Sequence, residues 1–336
     1  MKRPLVSVFI LMVLLFSGAF IVSRKADAEP SSPAEYVPTS AEADLTETSY
    51  VHDTQTVLQV LNGSAVEEIS MHDYLCGVVR GEMLPSFCDA ALCAQAVAER
   101  TYIYYQLAHG GKSVHPQADV CTDPGCCNAY LSEAAAKEKW GSKFEQYNTV
   151  IEKAVSDTDG QIVLYEGAPI LAVFHSSSSG STASSGDVWT ADLPYLVSVK
   201  SPEKGADIPN YYSVNSYSSK EFSRLFKMAH TDADFSGSPD TWVRDIVTTG
   251  DRVDHATVGG ITVSGKDLRS LYGLRSTAFT VDCQSDSVTF HVTGYGHGVG
   301  LSQYGANELG LEGKTWQEIL EWYYTDTTVG YYTGEA

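Results

Sequence analysis

The chain has 336 residues, of which 43% are hydrophobic and 19% are charged. This balance excludes intrinsic disorder for most of the chain, since disordered segments contain fewer apolar and more charged residues. The formal net charge of −20 argues against a nucleic-acid partner, because basic residues on phosphates supply most of that affinity. Seven cysteines do not form the dense pattern of a disulfide scaffold, and their odd number leaves at least one thiol free or bound to a metal.

An apolar segment without a charged residue, residues 5–22, follows Lys2 and Arg3. As a helix it would span about 27 Å, close to the hydrocarbon core of a membrane. A signal peptide cleaved near Ala26-Asp27-Ala28 is the alternative, although the apolar segment is longer than is usual for one. The sequence therefore predicts a retained anchor over residues 1–25. The basic amino terminus predicts a single-pass protein of the cell membrane, with its amino terminus cytoplasmic and its body outside the cytoplasm.

Residues 26–48 are rich in Ala, Ser, Pro, Glu and Thr without apolar periodicity, which is typical of a flexible tether. The folded body then starts near Tyr50. Helix starts are predicted where Ser or Thr is followed three residues later by an acid, at Ser70, Ser86, Ser218, Ser264 and Thr315. Strand-like runs lie between them, at residues 56–61, 160–165, 170–175, 242–248, 260–263, 278–282 and 287–292.

Helices and strands are intermixed without a strict alternation, which predicts an α+β fold around a substrate cleft. Residues 49–200 and 286–336 contain the motifs described below and are predicted to form one catalytic core. Residues 201–285 have helix and strand patterns of their own without a chemical motif, which predicts a second lobe.

A carboxylate lies in a turn at Gly81-Glu82-Met83-Leu84-Pro85. Apolar neighbours raise the pKa of a carboxyl group, as a general acid working near neutral pH requires. The start of the next predicted helix acts in the opposite direction, because its dipole favours the anion. Glu82 is therefore a candidate general acid, and a solvated Glu before a helix cap is the alternative.

One imidazole and three thiols lie within 13 residues, at His115, Cys121, Cys126 and Cys127. Zn²⁺ binds four such ligands tetrahedrally, and a closed set of three Cys and one His is typical of structural sites. A Cys121–Cys127 disulfide or free thiols are the alternatives. The cluster indicates a structural zinc ion, since four protein ligands leave no open position for a catalytic water.

Two further segments carry neutral polar groups. His175 and Ser176 end a strand-like run, but no Gly-x-Ser-x-Gly elbow surrounds the serines that follow, so a substrate-lining role is favoured over a serine hydrolase. The segment 294–300, GYGHGVG, has four glycines and leads to Gln303 and Tyr304. Its spacing excludes a phosphate loop, and its polar groups suit sugars or peptides.

Together these segments resemble the stage II sporulation protein D and LytB-like family over roughly residues 50–325. The motifs that carry the resemblance are Gly81-Glu82-Met83, residues 94–102 (AQAVAERTY), residues 174–180 (FHSSSSG), Val188-Trp189, Pro194-Tyr195-Leu196 and residues 294–305 (GYGHGVGLSQYG). The resemblance implies a lytic transglycosylase that cuts peptidoglycan glycan strands during engulfment in sporulation. It also implies a preference for strands without stem peptides, and cleavage between N-acetylmuramic acid (MurNAc) and N-acetylglucosamine (GlcNAc) to give 1,6-anhydro ends.

The resemblance implies that Glu82 is the catalytic acid. Arg100 lies about 21 Å along the helix beyond the predicted Ser86 cap, so it either holds the helix or binds a distant sugar. Zinc ligands at His115, Cys121, Cys126 and Cys127 are also implied, as are stage II sporulation proteins P, an amidase, and M as partners. The substrate-binding residues implied by the motifs are Arg100, His175, Ser176, Tyr195, His297, Ser302, Gln303 and Tyr304.

LytB-like relatives are described as amidase enhancers, so the alternative is a glycan-binding protein that activates a partner cell-wall amidase without cutting glycan. A zinc peptidase is disfavoured because the sequence lacks the His-Glu-x-x-His helix of that class.

Overall fold

The computed structural model describes residues 50–205 and 208–331, and its intermixed helices and strands confirm an α+β fold. The strands are β1 (Val57–Asn62), β2 (Ala65–Ser70), β3 (Val120–Cys121), β4 (Gln161–Tyr165), β5 (Ala168–Pro169), β6 (Phe174–His175), β7 (Tyr212–Ser218), β8 (Val243–Thr249), β9 (Arg252–Val258), β10 (Ile261–Ser264), β11 (Phe279–Cys283), β12 (Ser287–Thr293), β13 (Leu301–Ser302) and β14 (Thr328–Tyr331). The helices are α1 (Met71–Glu82), α2 (Asp89–Ala108), α3 (Glu133–Trp140), α4 (Phe144–Asp157), α5 (Ser185–Val188), α6 (Ser219–Ala229), α7 (Gly265–Leu271), α8 (Gln303–Leu311) and α9 (Trp316–Tyr323).

Four of the five predicted helix starts are confirmed by a capping side chain that accepts the backbone N–H three residues later. These caps are Ser70, Ser218, Ser264 and Thr315. The start predicted at Ser86 is wrong, because α2 begins at Asp89. The backbone N–H of Cys88, just before that helix, donates to Asn307 Oδ1 at 2.9 Å. This bond joins the start of α2 to a residue 219 positions away, and no side chain caps the helix locally.

The strands form small sheets rather than one continuous sheet. Strands β1 and β2 form an antiparallel hairpin that turns between Asn62 and Ala65, and β3 adds to β1 in parallel. The strand predicted over residues 170–175 is wrong for its first four residues, because only Phe174 and His175 form β6. Strand β6 pairs in parallel with β13, which joins the segment around His175 to the end of the glycine-rich loop. The remaining sheets have the orders β14-β4-β5, β11-β12-β7 and β10-β9-β8.

Helix α2 lies at the centre of the larger hydrophobic core and is buried along most of its length. A helix that is buried on nearly all sides must be surrounded by other elements, and here α1, α4, α8, α9 and β4 pack around it. A second hydrophobic cluster lies within residues 222–292 and is built around stacked aromatic rings such as Phe222 and Tyr272. The described residues nevertheless group into one compact unit. The division at residues 49–200, 201–285 and 286–336 stays a prediction.

The predicted anchor over residues 1–25 and the tether over residues 26–48 lie outside the described residues. Within residues 50–205 and 208–331, no helix has both the length and the apolar character needed to cross a membrane.

Candidate functional site

A cavity of about 590 Å³ is lined by residues from separate motif segments. Glu82 reaches it from the end of α1, His175 from β6, and His297 from the glycine-rich loop. Trp189, the residue after α5, lines the same cavity. The structure therefore brings together segments that are more than 200 residues apart in the chain.

The glycines of the loop at residues 294–300 allow it to lie directly against the segment around His175. Gly300 has a φ of 70°, and a Cβ there would overlap the carbonyl oxygen of Val173. Gly296 has a φ of 118°, and a Cβ there would lie 2.6 Å from the Cβ of His175. Both positions need a residue without a side chain, so the glycines hold His297 at the cavity wall.

Glu82 is the half-buried last residue of α1. Its Oε1 accepts a hydrogen bond of 2.6 Å from the backbone N–H of Ala129. Burial raises the pKa of Glu82, while the Ala129 hydrogen bond and the nearby Gln303 side chain oppose that rise. The sequence suggested that a helix start would favour the anion, but Glu82 lies at the carboxyl end of α1, where the helix dipole disfavours it. The environment therefore suits an acid that can both release and regain a proton.

A second carboxyl group lies near Glu82, on the fully buried Glu99 of α2. Gln95 Nε2 donates to Glu99 Oε1 at 2.8 Å, whereas Oε2 has no hydrogen-bond partner among the described residues. Burial and the charge of Glu82 raise the pKa of Glu99 well above that of an ordinary Glu. Among the described residues that line the cavity, Glu82 has the only carboxyl group. Glu99 is fully buried outside this lining and is therefore not placed to act as the second carboxylate of a hydrolase.

Both histidines at the cavity are neutral near pH 7. His175 Nδ1 donates to the carbonyl oxygen of Val299 at 3.2 Å, and its Nε2 accepts from Ser178 Oγ at 2.6 Å. Burial lowers the pKa of His175 well below its usual range. His297 Nδ1 accepts the N–H of Val299 at 3.1 Å, and burial lowers its pKa to about 4. Neutral imidazoles are suited to positioning hydroxyl and amide groups, not to holding a charge.

The other residues for which the motifs imply substrate binding lie around the cavity without lining it. Ser302 is buried and donates to Glu203 Oε1 at 2.6 Å while capping α8. Tyr195 is 7% exposed, and its hydroxyl oxygen accepts the N–H of Leu171 at 3.1 Å. Ser176 and Tyr304 are half-buried, and Gln303 is buried beside Glu82. Substrate contact by these five residues stays a prediction.

Arg100 is fully buried and forms an ion pair with Asp53, with Nη2 2.7 Å from Oδ2. Its Nε also donates to Asp53, and its other donors reach Thr158 Oγ1 and the carbonyl oxygens of Gln161 and Val155. The guanidinium therefore has no free donor for a sugar. Of the two roles considered for Arg100, the structure favours holding the helix.

The four predicted metal ligands come together, with their donor atoms all within 4.8 Å of one another. His115 Nδ1 donates to the carbonyl oxygen of Ala118 at 3.0 Å, which leaves Nε2 facing Cys127 Sγ at 3.4 Å. This is the second-shell pattern of a metal-binding His, and the donor set suits tetrahedral Zn²⁺. Among the described residues every cysteine is a free thiol. Cys126 and Cys127 also line the Glu82 cavity, so a metal here would brace its wall.

Arg269 was missed by the sequence analysis. It comes from α7, in the stretch where the sequence showed no chemical motif, yet it lines the cavity together with Glu82 and Tyr295. Only the tertiary fold reveals it, because no pattern around residue 269 distinguishes it from a surface arginine.

The family model described as Stage II sporulation protein (SpoIID) matches residues 61–165. That segment contains Glu82, the His and Cys cluster and the whole of α2, and the matching model describes the class of stage II sporulation proteins. Stage II sporulation protein D of Bacillus subtilis (strain 168) is 32% identical over 327 residues, covering 96% of this chain and 94% of the relative. The chain belongs to the stage II sporulation protein D family.

Two other relatives extend the comparison. Stage II sporulation protein D of Bacillus amyloliquefaciens is 35% identical over 260 residues, covering 77% of this chain and 74% of the relative. An amidase enhancer of Bacillus subtilis (strain 168) is 28% identical over 306 residues, covering 77% of this chain but 40% of the relative.

Proposed function

We propose that the chain is a lytic transglycosylase that cleaves the bond between MurNAc and GlcNAc in peptidoglycan glycan strands during sporulation. The observation that carries this proposal is the Glu82 carboxyl group, which is the only one among the described residues that line the cavity and has a pKa raised by burial. A glycoside hydrolase needs two carboxyl groups at the scissile bond. A transglycosylase whose nucleophile belongs to the sugar needs one.

The reaction proceeds in two proton transfers through Glu82. The protonated carboxyl group first donates to the glycosidic oxygen O4, which links MurNAc C1 to GlcNAc C4, and the C1–O4 bond breaks through an oxocarbenium-like state. The Glu82 carboxylate then removes the proton from the muramyl 6-hydroxyl as O6 bonds to C1. The products are a 1,6-anhydro end and a free GlcNAc 4-hydroxyl, with no water consumed and Glu82 protonated again.

The opposing effects on the pKa of Glu82 suit both proton transfers of this cycle. Burial stabilises the protonated acid before bond cleavage. The Ala129 N–H and the Gln303 side chain stabilise the carboxylate that exists between the two proton transfers. A Zn²⁺ ion held by His115, Cys121, Cys126 and Cys127 would have four protein ligands and would supply rigidity to this wall of the cavity, not Lewis-acid chemistry.

The proposal includes a location and partners. Residues 1–25 anchor the chain in the cell membrane, with the body outside the cytoplasm, where its glycan substrate is. The partners are stage II sporulation proteins P and M, of which the amidase P would supply strands without stem peptides.

The amidase enhancer among the relatives supports a second candidate function. In that function the Glu82 cavity binds glycan and activates a partner amidase without cleaving the strand.

One digest separates these functions. Full-length protein in detergent is incubated with peptide-free glycan strands, and the products are identified by mass spectrometry. We expect 1,6-anhydro ends from the wild type and from Glu138→Gln, an exposed control on α3, but none from Glu82→Gln. Reducing muramic ends would show a hydrolase and contradict the proposal. Glycan binding without cleavage, followed by stimulation of an added amidase, would establish the enhancer function.

A further inference from the structure

Arg269 brings a guanidinium group to the wall of the cavity that contains Glu82. Its Nε donates to the carbonyl oxygen of Leu274 at 3.3 Å, which fixes the direction of the side chain. Nη1 and Nη2 have neither a hydrogen-bond nor an ion-pair partner within residues 50–205 and 208–331. The two terminal nitrogens of this guanidinium are therefore available to a ligand.

The other charged groups at the cavity are already engaged or lie behind its wall. Lys112 lines the cavity, but its ammonium group donates to the carbonyl oxygen of Cys126 and lies 5.5 Å from the Tyr102 ring centre. Arg252 is buried against Gly298, and its three nitrogens have no hydrogen-bond partner among the described residues. Arg269 is therefore the cation placed to meet a ligand in the cavity, and buried Arg252 adds positive potential behind the loop.

The surroundings of Arg269 are suited to a sugar. Trp189 and Tyr295 line the same cavity, and Tyr295 is 45% exposed, so its ring is open to contact. The guanidinium of Arg275 lies 4.9 Å from the centre of the Tyr295 ring and holds it in place. Aromatic rings beside a planar cation can hold a sugar ring that carries an acid group.

In a glycan of alternating GlcNAc and MurNAc, only MurNAc carries an acid, the lactyl carboxyl group on its O3. This group is a free carboxylate when no stem peptide is attached, and it is a neutral amide when one is. A guanidinium fork pairs with a carboxylate through two parallel hydrogen bonds, a geometry that an amide cannot match.

We propose that Arg269 binds the free lactyl carboxylate of a MurNAc residue in the Glu82 cavity and thereby sets the register of the strand. This inference rests on the proposed function for its substrate. Fixing MurNAc at Arg269 determines which of the two alternating glycosidic bonds lies at Glu82. It also makes the site discriminate against MurNAc residues whose lactyl group is an amide.

The test is a double-mutant cycle on binding, with Glu82→Gln as the background so that no strand is cut. One axis is Arg269→Gln, and the other is the glycan, either native peptide-free strands or strands whose lactyl carboxylates have been converted to methylamides. Calorimetry on the full-length protein in detergent gives Kd for each combination. We expect Arg269→Gln to weaken binding of native strands roughly 10- to 100-fold and to leave binding of amidated strands unchanged.

Three controls complete the test. Arg224→Gln removes the same charge from an exposed position on α6 and should leave Kd unchanged. Arg269→Lys keeps the charge without the fork and should recover part of the affinity. Thermal unfolding of each variant identifies any loss that comes from misfolding.

An equal loss on native and amidated strands, or no loss on either, would overturn the role of Arg269. This outcome is separable from failure of the proposed function. If Arg269→Gln weakens binding of native strands only, but the wild type gives no anhydro ends in the digest, then Arg269 is a carboxylate site and the transglycosylase proposal is refuted. If the wild type gives anhydro ends, but Arg269→Gln changes binding of native and amidated strands equally, then the transglycosylase proposal stands and the role of Arg269 is refuted.

Discussion

The backbone N–H of Ala129 donates to Glu82 Oε1 at 2.6 Å, and Ala129 follows Cys127 of the metal cluster by two residues. The position of this donor therefore depends on the loop that carries Cys126 and Cys127. That loop links the metal cluster to the candidate catalytic acid through the backbone, although Glu82 is not itself a metal ligand.

A metal ion bound by this cluster would therefore brace the wall that holds Glu82, and its removal would loosen that wall. We expect Cys121→Ser to weaken zinc binding about 10-fold or more, to lower Tm, and to lower kcat for strand cleavage. The matched control is Cys283→Ser on β11, which lies outside the cluster and should change none of these. Zinc content by atomic absorption, Tm and kcat are measured together. Full zinc content and an unchanged Tm in Cys121→Ser would contradict the assignment of this ligand.

The pH dependence of cleavage should report the raised pKa of Glu82. The first step needs the protonated acid, so kcat should fall as pH rises through that pKa, which burial places above the value of about 4.3 for an exposed Glu. Glu82→Gln should lower kcat by about 10² to 10⁴. Any residual cleavage by that variant should lack the alkaline fall. A fall at the same pH in wild type and variant would assign the titration to another group.

Glu99→Gln should stabilise the protein near pH 7. The pKa of Glu99 is raised on folding, so the contribution of this group to wild-type stability is full below the unfolded pKa of about 4.3 and is lost as pH rises through the folded value. The amide keeps an acceptor for Gln95 and removes this dependence, which we expect to raise the free energy of unfolding at pH 7. Urea denaturation at several pH values measures it. Identical pH slopes in wild type and variant would contradict this prediction.

Arg100→Met should destabilise the fold strongly without a specific effect on glycan binding. It leaves the Asp53 carboxylate buried beside α2 without its partner, and breaking such a pair is worth about 3–5 kcal/mol. Adding Asp53→Asn should recover part of that loss, since the uncompensated charge is then removed. Chemical denaturation of the single and double variants measures both effects. An Arg100→Met protein of normal stability that no longer binds glycan would instead support direct contact with the sugar.

Two contacts between distant motif segments could be predicted from the sequence, because the residue types in each segment have one clear structural requirement. Glycines between residues 294 and 300 require close backbone approach, and Gly296 and Gly300 provide it beside His175 and Val173. The spacing of His115, Cys121, Cys126 and Cys127 matches the needs of one metal ion, and the fold brings their donor atoms together. Both features are short patterns of adjacent residues that require a particular contact in the folded protein, so they can be recognised in the sequence.

Other features depend on partners that only the fold supplies. In the sequence, nothing distinguishes Glu99 from an exposed polar residue of a helix, and only the fold shows that the core encloses it. Arg100 carries a family motif, but its role depends on Asp53, which lies in a turn before β1 without any pattern to mark it. Arg269 lines the cavity only because the fold brings α7 to the same cavity as Gly296 and His297 of the glycine-rich loop.

The hydrogen bond from the Cys88 N–H, just before α2, to Asn307 Oδ1 of α8 ties the middle of the chain to its last elements. Val299, Leu301, Ile319 and Tyr324 belong to the same core as α2. During synthesis, α2 therefore leaves the ribosome well before α8 and α9, which cover its apolar faces, have been made. A chain that stops after α7 would expose the faces of α2 that α8 and α9 cover, and these faces would be open to proteases and chaperones. A complete carboxyl end is therefore needed before α2 is fully buried.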